Sequence, residues 1–127
     1  MPLNAKFTVT SKPDTADSVA VSGLDVTVNL AFSGTATLTA DYTRSGTSIV
    51  IPAGSTSGTI TLTAVQDAID EPNETIVVDI STVTNGTESG TQQATVTITD
   101  DDAAPTVTLA ANPTTIAEAA GVSTLPI

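Results

Sequence analysis

The chain is predicted to be all-β, an antiparallel sandwich, and three observations point there. Apolar and polar residues alternate with a period of two over most of its 127 residues, the pattern of strands with one face buried. Thr occurs 26 times, and with Val and Ile it suits a pleated, half-buried surface. Clusters of turn residues separate the alternating runs at short, regular intervals, as in sandwiches of two packed sheets.

The runs follow in order. "KFTVTS" sets Phe7 and Val9 against Thr8 and Thr10. "DVTVNLAF" places Val26, Val28, Leu30 and Phe32 on one face. "TSIVIPAG" is a short run stopped by Pro52 and Gly54. "GTITLTAV" turns Ile60, Leu62 and Ala64 inward and Thr59, Thr61 and Thr63 outward. "ETIVVDIS" contributes Ile76, Val78 and Ile80, "QATVTIT" Val96 and Ile98, and "PTVTLAA" Val107 and Leu109. Between them lie "KPDTADS", "FSGTA", "TRSG", "AGSTSG", "DEPNE" and "TNGTESG". Asn85-Gly86 in the last of these reads as a hairpin turn. The one helical candidate, "TTIAEAAG", is short and poorly capped.

Composition narrows function. Aromatic residues make up 2%, so the core is built from Val, Ile, Leu and Ala. Lys and Arg total 3 against 14 Asp and Glu, a net charge of −11. Lys6, Lys12 and Arg44 form no patch, which argues against nucleic acid and anionic membranes and favours cations. With no Cys and no His, thiol chemistry, disulfides, most zinc and iron sites and His-based catalysis are excluded. Oxygen-only ligation remains, which suits calcium or magnesium. No apolar run approaches the ~20 residues of a transmembrane helix, so membrane insertion is not expected. "MPLNAKFTVT" lacks a signal-peptide pattern. The acidic, Thr-rich, Lys-poor composition leans toward an extracellular or cell-surface setting in a prokaryote.

The acids are not spread evenly. Asp100, Asp101 and Asp102 stand together after "ATVTIT", although like charges about 5 Å apart repel by ~3 kcal/mol at an effective dielectric of 20. A second cluster, Asp67, Asp70, Glu71 and Glu74, occupies the loop "VQDAIDEPNET", whose shape Pro72 restricts. Asp41 stands at the turn "TADYTRSG". Each alone is an ordinary solvated turn or strand end. Together, acids confined to a few loops of a sandwich can converge at one pole, where a hard cation needs several oxygens. Paired carboxylates can also serve as acid and base, but no aromatic platform accompanies them, and no enzymatic activity is expected. "NET" at Asn73 and "NGT" at Asn85 fit the glycosylation pattern and are read as chance.

"GTATLTADYT", "IVIPAGSTSGTITLTAV", "QDAIDEPNETIVVDI" and "ATVTITDDD" occur in this order over roughly residues 25–102. In them the chain resembles the Calx-beta family, a module of sodium–calcium exchangers and of large bacterial surface proteins. The resemblance implies a seven-stranded, immunoglobulin-like antiparallel sandwich that binds Ca2+ at one pole. It implies Asp41, Asp67, Glu71, Asp100, Asp101 and Asp102 as ligands, with Asp70 and Glu74 secondary and Glu74 an alternative brace for the loop. One departure stands out. Gln66-Asp67 replaces a pair of aspartates common in the family, which weakens one ion position.

The resemblance also sets a register. "KFTVTS" looks like the family's second strand, and the stretch after the triple aspartate looks like its first, with Glu118 of "IAEAAG" as the remaining ligand. Residues 1–102 are therefore expected to form a sandwich that starts at strand two, and residues 103–127 a linker with a strand available to complete a neighbouring module. Three readings of that tail stand side by side: a tandem array cut between modules, a donor strand at 106–125 that joins copies into a homo-polymer, and a strand that folds back on its own sandwich. The expected function is a calcium-rigidified structural module, a tandem spacer or a filament subunit, as in adhesins. The alternatives are a calcium sensor that controls a partner and, ranked last, an adhesive head, since Tyr42 is the lone tyrosine.

Overall fold

A computed structural model describes residues 4–10 and 23–127. The expected turn "KPDTADS" and Lys12 lie outside the described residues. Seven strands form: β1 (Asn4–Thr10), β2 (Val26–Gly34), β3 (Tyr42–Arg44), β4 (Ser48–Ile51), β5 (Ser57–Ala64), β6 (Glu74–Thr84) and β7 (Gln93–Ile98). They make two sheets, β1-β5-β3 and β4-β2-β6-β7. Every ladder is antiparallel. No helix forms among the described residues, and none is long and apolar enough to cross a membrane.

The alternation does what its period requires. Val26 and Val28 of β2, Ile49 and Ile51 of β4, Ile60 and Leu62 of β5, and Ile76 and Val78 of β6 are buried together. Their neighbours in sequence face outward, so Val50 is exposed between two of the most buried side chains in the molecule. Tyr42 completes this core at 4% exposure. The lone tyrosine is thus a packing residue and not a surface for an external ligand. Phe7, Val9, Leu30, Phe32, Ile80, Val96 and Ile98 pack half-buried around it. Arg44 of the first sheet lays its guanidinium over the Phe32 ring of the second, 4.4 Å from the centroid. This cation–π contact joins the two layers.

Three expectations need correcting. The "DY" stretch is more than a turn: Asp41 lies in one, but Tyr42–Arg44 pairs with β5 as a short strand. Asn85-Gly86 is not a two-residue hairpin, because β7 resumes only at Gln93 and pairs with the first half of β6. Asn85 does take the left-handed conformation (φ 59°) and donates its side-chain amide to Asp25 O at 2.9 Å. The run "PTVTLAA" joins no ladder among the described residues. Val107 and Leu109 are 76% and 68% exposed there. In the rest of the tail only Asn112 and Thr124 pair, each N–H donating to the other's carbonyl at 3.0 Å. The helical candidate between them is a turn in which Gly121 N donates to Ala117 O at 3.2 Å.

Register gives the sandwich two poles. At one lie the end of β5, the start of β6 and the end of β7, with Glu74 opposite Ile98. Asn4, opposite Thr63, begins β1 at that pole. At the far pole β2 begins, and Asp25 there accepts from Ala53 N at 2.8 Å.

Candidate functional site: an acid-lined cavity at one pole

Three separated pieces of chain reach the first pole: the turn before β3, the β5–β6 loop with the first residue of β6, and the exit of β7. They enclose a cavity of about 260 Å³. Leu62, Ile76, Val96 and Ile98 are among its apolar lining, and Asp41, Asp67, Glu71, Glu74, Asp100, Asp101 and Asp102 are its acids. Among the described residues no lysine or arginine lines it. Of the expected ligands, all but Glu118 are brought together, and Glu74 joins them. Asp70 lies outside the lining, although its charge reaches Asp102. Glu118 sits in the tail's turn, away from this cavity.

The acids are held by neutral donors. Thr37 N donates to Asp41 Oδ2, and Ile69 N to Asp67 Oδ1 at 2.8 Å. Gln66 spans the loop and the strand exit, its amide Nε2 donating to Asp101 Oδ1 at 2.9 Å and to Asp67 O at 3.1 Å. The amide thus presents its nitrogen to the Asp101 carboxylate. Asn73 Oδ1 accepts from Asp100 N at 3.0 Å, tying the same two segments from the other side. Neither tie was legible in the sequence, because the partners stand 35 and 27 residues apart. Only the β6–β7 register brings them together.

Crowding shows in the protonation equilibria. The Glu71 carboxyl is held above its ordinary value by lost hydration and then by the charges of Asp67, Asp41 and Asp100. Glu74 is raised by lost hydration, by a hydrogen bond with Asp41 that requires a proton, and by the charges of Asp41 and Glu71. Asp102 is raised by lost hydration and by Asp100, Asp101, Asp67 and Asp70. Among the described residues no three acids stand as a ready-made metal cage. The donor set is all oxygen, anionic and carried largely on loops. It fits calcium, which takes six to eight oxygens in adaptable geometry, better than magnesium, which demands a near-ideal octahedron.

A two-sheet antiparallel sandwich with an acid-lined pole is the class of protein that fold and site define. The Calx-beta domain model matches residues 15–102, and the chain belongs to that family. Calx-beta domains are calcium-binding β-sandwich modules, structural and not catalytic, of extracellular or membrane-associated proteins. No curated protein and no solved structure shows significant similarity to the chain.

Proposed function

We propose that the chain is a non-enzymatic structural module of an extracellular or cell-surface protein, made rigid by Ca2+ at the acid pole. It serves as one unit in a series, either in tandem along one polypeptide or as copies joined head to tail through the tail at 106–125. The observation that carries this reading is the convergence of seven carboxylates from three segments on one cavity that, among the described residues, no Lys or Arg lines. Asp41, Asp67, Glu71, Asp100, Asp101 and Asp102 hold the ion, and Glu74 braces Asp41. The ion supplies the positive charge that the site lacks.

The chain's own residues then act mechanically. Asp67 and Glu71 fix the β5–β6 loop, and Asp100–Asp102 fix the point where the chain leaves the sandwich. Gln66 and Asn73 pre-align these two segments. Tying the loop to the strand exit sets the angle at which anything beyond residue 102 departs. Titration calorimetry with Ca2+ tests this. The expectation is binding in the ~10⁻⁴–10⁻³ M range of extracellular modules, against ~10⁻⁷–10⁻⁵ M for sensors, weakened at least tenfold by Asp101→Asn. Heats identical for the intact chain and Asp101→Asn would contradict the assignment.

A further inference from the structure

Among the described residues the strand β1 is the outer strand of its sheet, paired on one side only, with β5. Its inward side chains Phe7 and Val9 are half-buried. An edge of this kind is a template for another strand. The same chain carries a strand-like segment that pairs with no other strand among the described residues: "TVTLAA", with Val107 and Leu109 exposed on one face of the alternation. We propose that this segment adds to the β1 edge of a second copy, antiparallel to β1, with Val107 and Leu109 turned into the side of the sandwich that β1 leaves open. The inference deepens the reading of the chain as a unit in a series, and does not depend on calcium.

Geometry and charge select this arrangement. The tail leaves its own sandwich at the acid pole, where β1 also begins. To lie antiparallel to its own β1 it would have to start from the far pole. Ala103, Ala104 and Pro105 reach at most ~10 Å, and β1, with seven residues, is ~24 Å long. Self-completion in this direction is therefore excluded. Parallel addition to a second copy would set the donor's acid pole against the acceptor's acid pole, with seven carboxylates on each side. Antiparallel addition sets the donor's acid pole beside the acceptor's far pole, where Asp25 is already bonded to Ala53 N. It also carries the closed loop between Asn112 and Thr124, with Glu118 in its turn, toward the acceptor's acid pole. Each copy then offers one donor and one acceptor edge, so the contact does not close and generates an open chain.

The absence of cysteine makes a direct test clean. Chains carrying Thr8→Cys are mixed with chains carrying Thr108→Cys and oxidised, in EDTA and separately in Ca2+, while sedimentation follows the size of the intact chain. The expected result is a disulfide-linked heterodimer and assembly that grows with concentration. Both should fall at least tenfold in a Val107→Asn/Leu109→Asn variant, whose substituted positions are exposed, so the sandwich still folds. A monomer with no cross-link in either condition overturns the proposal. So does assembly unchanged by the tail substitutions. So does a concentration-independent link within one chain carrying both cysteines. Failure of the calcium reading would instead leave the cross-link intact and abolish the calcium-dependent gain in stability.

Discussion

At the residue scale the site is a balance of like charges. Glu71, Glu74 and Asp102 have carboxyls raised in the folded state. The folded protein therefore holds more protons than the unfolded chain just above the ordinary carboxylate range. Stability then falls as pH rises through that window. Without calcium, the unfolding midpoint should increase when pH is lowered from 7 toward 5, and a pH series of melts in EDTA checks this. Calcium should flatten or reverse the trend, because it favours the ionised acids. Glu71→Gln separates the two states. It removes one repelling charge, so the melting temperature should rise in EDTA, and it removes a ligand, so the temperature should fall in calcium. A variant that moved both in the same direction would contradict a ligand role. The acids themselves were legible in the sequence, because charges so sparing elsewhere were gathered in a few turns. The hydrogen bonds that organise them were not. Gln66 and Asn73 act across strands whose register no local pattern specifies, and Glu118 lies on a tail that does not pack against the cavity.

At the element scale, period-two alternation identified the inward face of β1, β2, β5 and β7. It failed halfway along β6. Asn29 pairs with Thr82 but Leu30 with Ile80, so Ser81 is an extra residue, and its hydroxyl donates to Asn29 O at 3.1 Å. The bulge changes the parity, and the inward series Ile76, Val78, Ile80 continues at Val83. A bulge leaves no mark in composition, and so the sequence reading stopped at Ile80. The end of β2 has a comparable constraint. Gly34 has φ +112°, and a Cβ there would strike the Thr75 carbonyl. Gly34→Ala should therefore destabilise by about 1–3 kcal/mol, measured by urea unfolding. Burial makes a sharper contrast within one strand. Ile49→Ala, at 1% exposure, should cost ~3 kcal/mol. Val50→Ala, at 47% exposure, should stay within about 0.5 kcal/mol.

At the scale of the whole molecule, two sheets pack around one core, with an acid-lined pole at the exit of β7 and an exposed tail beyond it. The sandwich class was legible because two sheets are the economical way to bury several one-sided strands. The fate of the tail was not, because a strand is defined by its partner and no strand among the described residues pairs with residues 106–111. Deleting residues 105–127 should leave the melting temperature of the dilute, unassembled chain nearly unchanged, since residues 103–127 are almost wholly exposed in the single chain. The central claim, an ion-tied pole, is tested most directly by the thermal unfolding midpoint of the intact chain in EDTA and across a calcium series, with magnesium as control. At a hundredfold excess over the dissociation constant, binding to the folded state alone stabilises it by ~2.7 kcal/mol, an upward shift on the order of 10 °C for a domain of this size. The account predicts such a shift, larger for calcium than for magnesium and diminished by Asp101→Asn. A midpoint that does not move up to several times ~10⁻³ M calcium would contradict it, and would make the acid pole a solvated surface.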